Sequence, residues 1–169
     1  MESRSVRRRI VREKVMQALY AYEIAKDPPD HVIKHVLAGL ESNRDAHVFA
    51  EQLVLATIEH TVEIDNIIRT KVANWDFKRI ALIDRLILRM GICELLYFTE
   101  IPPKVSMNEA IELAKLFSTE KSGQFVNGIL DAVLEDVKKS GEHAKAGRGL
   151  YDGAGPRVNK SKAAKPRTP

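Results

Sequence analysis

The stretch from Ile80 to Phe98 constrains the fold more than any other part of the chain. Large apolar residues recur there at almost every angle of a helix, so no single stripe can face a core while the rest faces water. A helix that is apolar around most of its circumference has to be covered by several neighbours. Its place is therefore the centre of a helical bundle. Asp84, Arg85, Arg89 and Glu94 interrupt the run, so it never reaches the roughly 18 uninterrupted apolar residues of a membrane span.

The segments around it supply the covering helices. From Val6 to Ala25 the positions Val6, Ile10, Val15, Met16, Leu19, Tyr20 and Ile24 approximate one helical stripe. Asp27-Pro28-Pro29-Asp30 ends that helix, because each proline lacks an amide donor and restricts the residue before it. A second helix is predicted over 31–40 and a polar linker over 41–45. Phe49 to Val72 then keeps a 3.6-residue period, as one long helix or two with a bend. Trp75 and Phe77 mark a turn, anchored by two aromatics, before the apolar helix that begins near Lys78. Ile101-Pro102-Pro103 ends that helix, and Ser106-Met107-Asn108-Glu109 offers caps for the next. After a polar loop over 118–123, a last helix is predicted from Gln124 to Val137. No segment alternates with period 2, so the class is all-α, a compact bundle of about six to seven helices.

A length of 169 residues suits one domain with a tail, here read as a domain over 1–138 and a basic, disordered tail over 139–169. The formal net charge of +4 hides its distribution. Residues 1–14 carry six basic against two acidic side chains, a net +4, and the tail eight against two, a net +6. The body from 15 to 138 is left at −6. An acidic body with basic ends suits a binder of polyanions whose body also meets a basic partner. Charged ends that serve only solubility are the competing reading. Cys93 is the single cysteine, which excludes an internal disulfide and fits a reducing compartment. The arginine-rich start has no apolar core of a secretory signal. A cytoplasmic protein with no membrane association is the expectation.

Catalytic chemistry finds few candidates. His31 and His35 stand at i, i+4, a spacing that can hold a metal, but no HExxH motif or cysteine accompanies them and a surface helix explains them. No phosphate-cradling glycine motif is present, so no nucleotide or other cofactor and no metal is expected. The prediction is a protein that is not an enzyme. Arg7, Arg8, Arg9 and Arg12 are more informative, because they open an amphipathic helix instead of filling a linker. Guanidinium groups grip phosphates in bidentate fashion and stack on exposed bases, which suits single-stranded RNA. Cations at a helix N-terminus oppose the macrodipole, and a bound anion would compensate that cost.

Several separated segments together resemble the NusB family of transcription antitermination factors. They are Arg7-Arg8-Arg9 with Arg12-Glu13 and Gln17-Ala18-Leu19-Tyr20; Trp75, Arg79-Ile80, Asp84-Arg85 and Leu88-Arg89; the run from Ile101 to Lys115 containing Asn108-Glu109-Ala110-Ile111-Glu112-Leu113-Ala114-Lys115; and Phe125-Val126-Asn127-Gly128-Ile129-Leu130-Asp131. The resemblance covers about residues 5 to 138.

What the resemblance implies is a fold of two packed helical subdomains and a non-catalytic role in ribosomal RNA synthesis. Such a protein binds boxA RNA together with the ribosomal small-subunit protein NusE, and joins other Nus factors on RNA polymerase. It implies RNA contacts at Arg7, Arg8, Arg9 and Arg12 and at Lys121, Gln124, Phe125 and Asn127. It implies a partner-protein surface at Tyr20, Asp84 and Arg85. Plain structural readings compete at some of these positions. Phe125 could equally face the core, Asn127-Gly128 could serve close helix packing, and Asn108 and Glu109 read as helix-start capping. A helical scaffold that binds only protein is the alternative class, and self-association of the free chain as a homodimer stays open.

Overall fold

The computed structural model describes residues 4–72 and 74–141. The predicted tail lies outside the described residues from 142 onward, while residues 139 and 140 belong to the last helix. Seven α-helices make up the described chain, with no strand among the described residues. They are α1 (Arg4–Ala25), α2 (Pro29–Val36), α3 (Arg44–Glu59), α4 (Thr61–Lys71), α5 (Leu82–Tyr97), α6 (Pro103–Phe117) and α7 (Glu120–Ser140), with short 3₁₀ turns at Ala38–Leu40 and Phe77–Arg79.

Local chemistry accounts for the boundaries. Lys26 closes α1 in a left-handed conformation, φ 58°, with its amide on the Tyr22 carbonyl. Asn43 caps α3 by accepting from the Ala46 amide at 3.1 Å. The long periodic stretch resolves into two helices that break at His60, whose ring stacks on Tyr97 with centroids 3.9 Å apart. Pro103 opens α6, where its missing amide costs nothing. This frees Ser106 from capping, and its hydroxyl instead donates to Glu94 in the interior at 3.0 Å. Thr119 caps α7 by accepting from the Ser122 amide at 3.0 Å, so that helix begins four residues earlier than its hydrophobic pattern suggests.

The apolar segment is the central helix. In α5 Asp84 and every residue from Leu86 to Leu95 are buried, and α1, α3, α4, α6 and α7 all pack on it. Each fully buried Leu or Ile there contributes about 1.5–3 kcal/mol over an exposed one. Gly91 lets the C-terminal helices close in, since a Cβ there would stand 3.3 Å from Leu130 and 3.4 Å from Ala110. The α1–α3 and α4–α7 groups form the two packed subdomains, joined through α5.

The polar residues that interrupt the apolar run hold the bundle together. Glu94, fully buried, accepts hydrogen bonds from two of the three nitrogens of the Arg12 guanidinium, Nε at 2.9 Å and Nη2, and ties α1 to α5. Arg89 donates to both oxygens of Asp65, at 2.7 and 2.8 Å, and ties α4 to α5, with Glu23 of α1 at 3.5 Å. Burial alone would lower the Arg89 pKa, but the Asp65 hydrogen bonds and charge, helped by Glu23, outweigh it and raise the pKa.

Candidate nucleic-acid interface

Consecutive residues on a helix point about 100° apart, so an arginine run at the start of α1 cannot face one way. Arg7 is exposed, Arg8 and Arg9 are half-buried, and Arg12 is only 2% exposed. Arg12, expected on the RNA surface, borders a depression shared with Arg7 and Arg8 while its side chain is engaged in an internal ion pair. Its guanidinium is held by Glu94, lies 5.2 Å over the Phe49 ring, and donates to the Arg8 carbonyl at 3.2 Å. Arg9 Nε reaches Glu109 at 3.4 Å, close enough for an ion pair but without hydrogen-bond alignment. Glu109 is thus a buried partner in mid-α6 instead of a cap. Arg7 and Arg8 line a depression of about 660 Å³ with Phe49, Asp45 and Glu100.

A second and larger groove, about 770 Å³, opens between the end of α4, the turn before α5 and the start of α7. Lys121, Gln124, Phe125, Gly128, Ile129 and Ala132 line one wall. Their spacing of 3, 1, 3, 1 and 3 is a single helical face. Asn127 falls off that face and is exposed elsewhere on α7. Phe125 is half-buried, packed against the core and lining the groove. Gly128 contradicts the close-packing reading, because an added Cβ would meet nothing within 4 Å. The opposite wall brings Trp75, Ile80, Lys71 and Arg79.

Asp84, expected on the partner-protein surface, lines this groove. Its side chain is 7% exposed at the start of α5, where the helix dipole favours a carboxylate. One oxygen accepts from the Ser122 hydroxyl at 2.8 Å, and the other is buried without a hydrogen-bond partner. Ser122 is fixed in turn by the Ser118 and Thr119 hydroxyls. Arg85 lies 5.4 Å over the Phe77 ring, which Arg69 also covers at 4.4 Å. Tyr20 is 43% exposed on α1 and is not part of the groove wall.

The structure therefore unites Lys121, Gln124, Phe125 and Asp84, and separates them from Tyr20 and Asn127. Sequence reasoning did not assign Lys71, Trp75 and Arg79 to a site. The signal for Trp75 was its position in a turn followed closely by Lys78 and Arg79, with no helical stripe to absorb it. Among the described residues no group of three or more His, Cys, Asp or Glu side chains could hold a metal. His31 and His35 face each other on the exposed side of α2, Nε2 to Nε2 3.1 Å. Cys93 is buried beside Thr57, and burial above all pushes its thiol up to about 12, out of the range of a nucleophile. No helix among the described residues is long and apolar enough to cross a membrane.

A model of the NusB family matches residues 9–135. The chain belongs to the NusB family. A transcription antitermination protein NusB of Salinibacter ruber is 46% identical over 85% of this chain and 90% of its own length. That of Chloroherpeton thalassium is 44% identical over 87% of this chain and 70% of its own. Among solved structures, NusB of T. maritima superposes with a TM-score of 0.72 at 31% identity, covering 80% of this chain and 94% of that one. A structure of the antitermination factors NusB and NusE in complex with dsRNA gives 0.69 at 29% identity, over 77% of this chain and 97% of the other.

Proposed function

We propose that this NusB-family protein is a cytoplasmic transcription antitermination factor that holds boxA-type single-stranded RNA jointly with ribosomal protein NusE. It works by binding and not by catalysis. The observation that carries the reading is the groove at the start of α7, where Lys121 and Arg79 flank the rings of Phe125 and Trp75. Cations track phosphates and aromatic faces take unstacked bases, a pairing that suits a single strand better than a closed duplex. Arg7, Arg8 and Arg9 extend the cationic surface on α1. Tyr20, with the acidic body around it, is the proposed face for the basic partner protein, which would carry the assembly to other Nus factors and RNA polymerase. The domain ends with α7, and the basic segment beyond it adds sequence-independent attraction through counterion release.

Fluorescence anisotropy tests this directly, with a labelled boxA-like RNA and a scrambled control, each titrated with the protein alone and with NusE at two salt concentrations. The expected result is tightening by NusE confined to the boxA-like RNA. Replacing Arg7, Arg8 and Arg9 together by alanine should weaken binding by roughly tenfold or more and flatten its salt dependence. Phe125→Ala should weaken it by roughly 5- to 100-fold. Equal, salt-sensitive binding of both RNAs, unchanged by NusE, would reduce the protein to a helical scaffold with basic ends.

A further inference from the structure

The turn between α4 and α5 buries one of its aromatics and displays the other. Phe77 is half-buried beneath Arg69 and Arg85, whereas Trp75, the only tryptophan in the chain, is 60% exposed. The exposure is built into a fixed turn. The Trp75 amide donates to the Val72 carbonyl at 2.7 Å, the Lys78 amide to Asp76 Oδ1 at 3.0 Å, and the Arg79 amide to the Asp76 carbonyl at 2.9 Å. With its neighbours thus tied, the indole stands on a ridge. It lines both the 770 Å³ groove and a second depression of about 310 Å³ formed with Arg69, Asp76, Phe77 and Lys78.

The charge around the ridge selects the occupant. Arg79 and Lys121 line the groove, where Lys71 is already paired with Asp136, and Arg69 and Lys78 line the second depression, against the carboxylates of Asp84 and Asp76. A surplus of cations around an exposed indole repels a basic protein and attracts a polyanion that carries flat rings. We infer that Trp75 is a second stacking platform for single-stranded RNA, which crosses the ridge from the groove at Phe125 into the depression beside Lys78. A base stacks on the indole, and Arg79 and Lys78 take the flanking phosphates. The inference rests on the proposed RNA-binding role and lengthens its footprint.

Trp75 also supplies its own probe. The full chain with NusE is titrated with the boxA-like RNA while indole emission and RNA anisotropy are recorded together, and the Trp75→Phe protein serves as the blank for emission from the partner. Quenching with the same midpoint as the anisotropy change is expected. Trp75→Ala should bind roughly 5- to 100-fold more weakly, and Trp75→Phe, which keeps an aromatic face, within about threefold of the parent. Parental affinity of Trp75→Ala with unquenched emission, while Phe125→Ala has lost binding, would end the footprint before the ridge and overturn the inference alone. Parental affinity of both variants would remove the groove itself from the RNA site. An emission change on adding NusE that RNA leaves untouched would assign the ridge to a protein contact and overturn the inference as well.

Discussion

Arg12 and Arg7 lie less than two turns apart on α1 and meet opposite surroundings. Arg12 points inward, where a fully buried carboxylate takes two of its nitrogens and a phenyl ring lies beneath it. Arg7 is exposed beside a depression, and Arg8 next to it keeps a buried Nε without a hydrogen-bond partner. The same contrast separates Arg89, saturated by Asp65, from Asp84, half of whose carboxylate is unused at the groove. Charge consumed by an internal partner fixes helix against helix. Charge left exposed at a concave surface, as at Arg7, is available to a ligand.

The contrast can be tested first at the interior, where the largest effect is expected. Cys93 adjoins Glu94 on α5, and its raised pKa keeps the thiol protonated at ordinary pH. Thiol-reagent labelling near pH 8 should be on the order of a thousandfold or more slower in the folded than in the denatured protein, because it needs the bundle to open. Rapid labelling would mean that the interior opens locally. The sign of the linkage also follows. The unfolded thiol releases its proton near 9.0 and the folded one only near about 12, so this group makes the fold less stable as pH rises through that window.

Next in size is Glu94→Gln, which leaves the Arg12 guanidinium buried opposite a neutral group and should cost about 3–5 kcal/mol in urea denaturation. Replacing both partners by apolar residues of similar volume should cost far less. Equal losses in the single and double variants would break the distinction between consumed and available charge. Arg7→Ala, which removes only an exposed cation, gives the surface counterpart, with stability within about 1 kcal/mol of the parent despite weaker RNA binding. The smallest effect is expected at Gly128, where a helical glycine faces open space. Gly128→Ala should stabilise by about 0.5–1 kcal/mol, read from the urea midpoint. Destabilisation there would reveal packing that the groove does not show.

Much of the fold was legible because helical periodicity is local. The proline pairs end α1 and open α6, and the segment that is apolar on all sides could only be central. The site was legible in part. The stripe from Lys121 to Ala132 is visible as a pattern, and family likeness drew attention to Phe125. The start of α7 was misread because Thr119 caps it ahead of the first apolar residue. Trp75 and Phe77 are equivalent in sequence, and only the two arginines covering Phe77 distinguish them.

By itself, then, the sequence determined that the chain is helical, which segment lies at its centre, and that its start is rich in guanidinium groups. The tertiary structure decided which of those groups is spent on the interior, which aromatic is displayed, and that Asp84 belongs to a groove. The physical reason is distance along the chain. Glu94 is 82 residues from Arg12 and Ser122 is 38 from Asp84, and a pattern read within a few helical turns cannot say which remote partner will neutralise a charge.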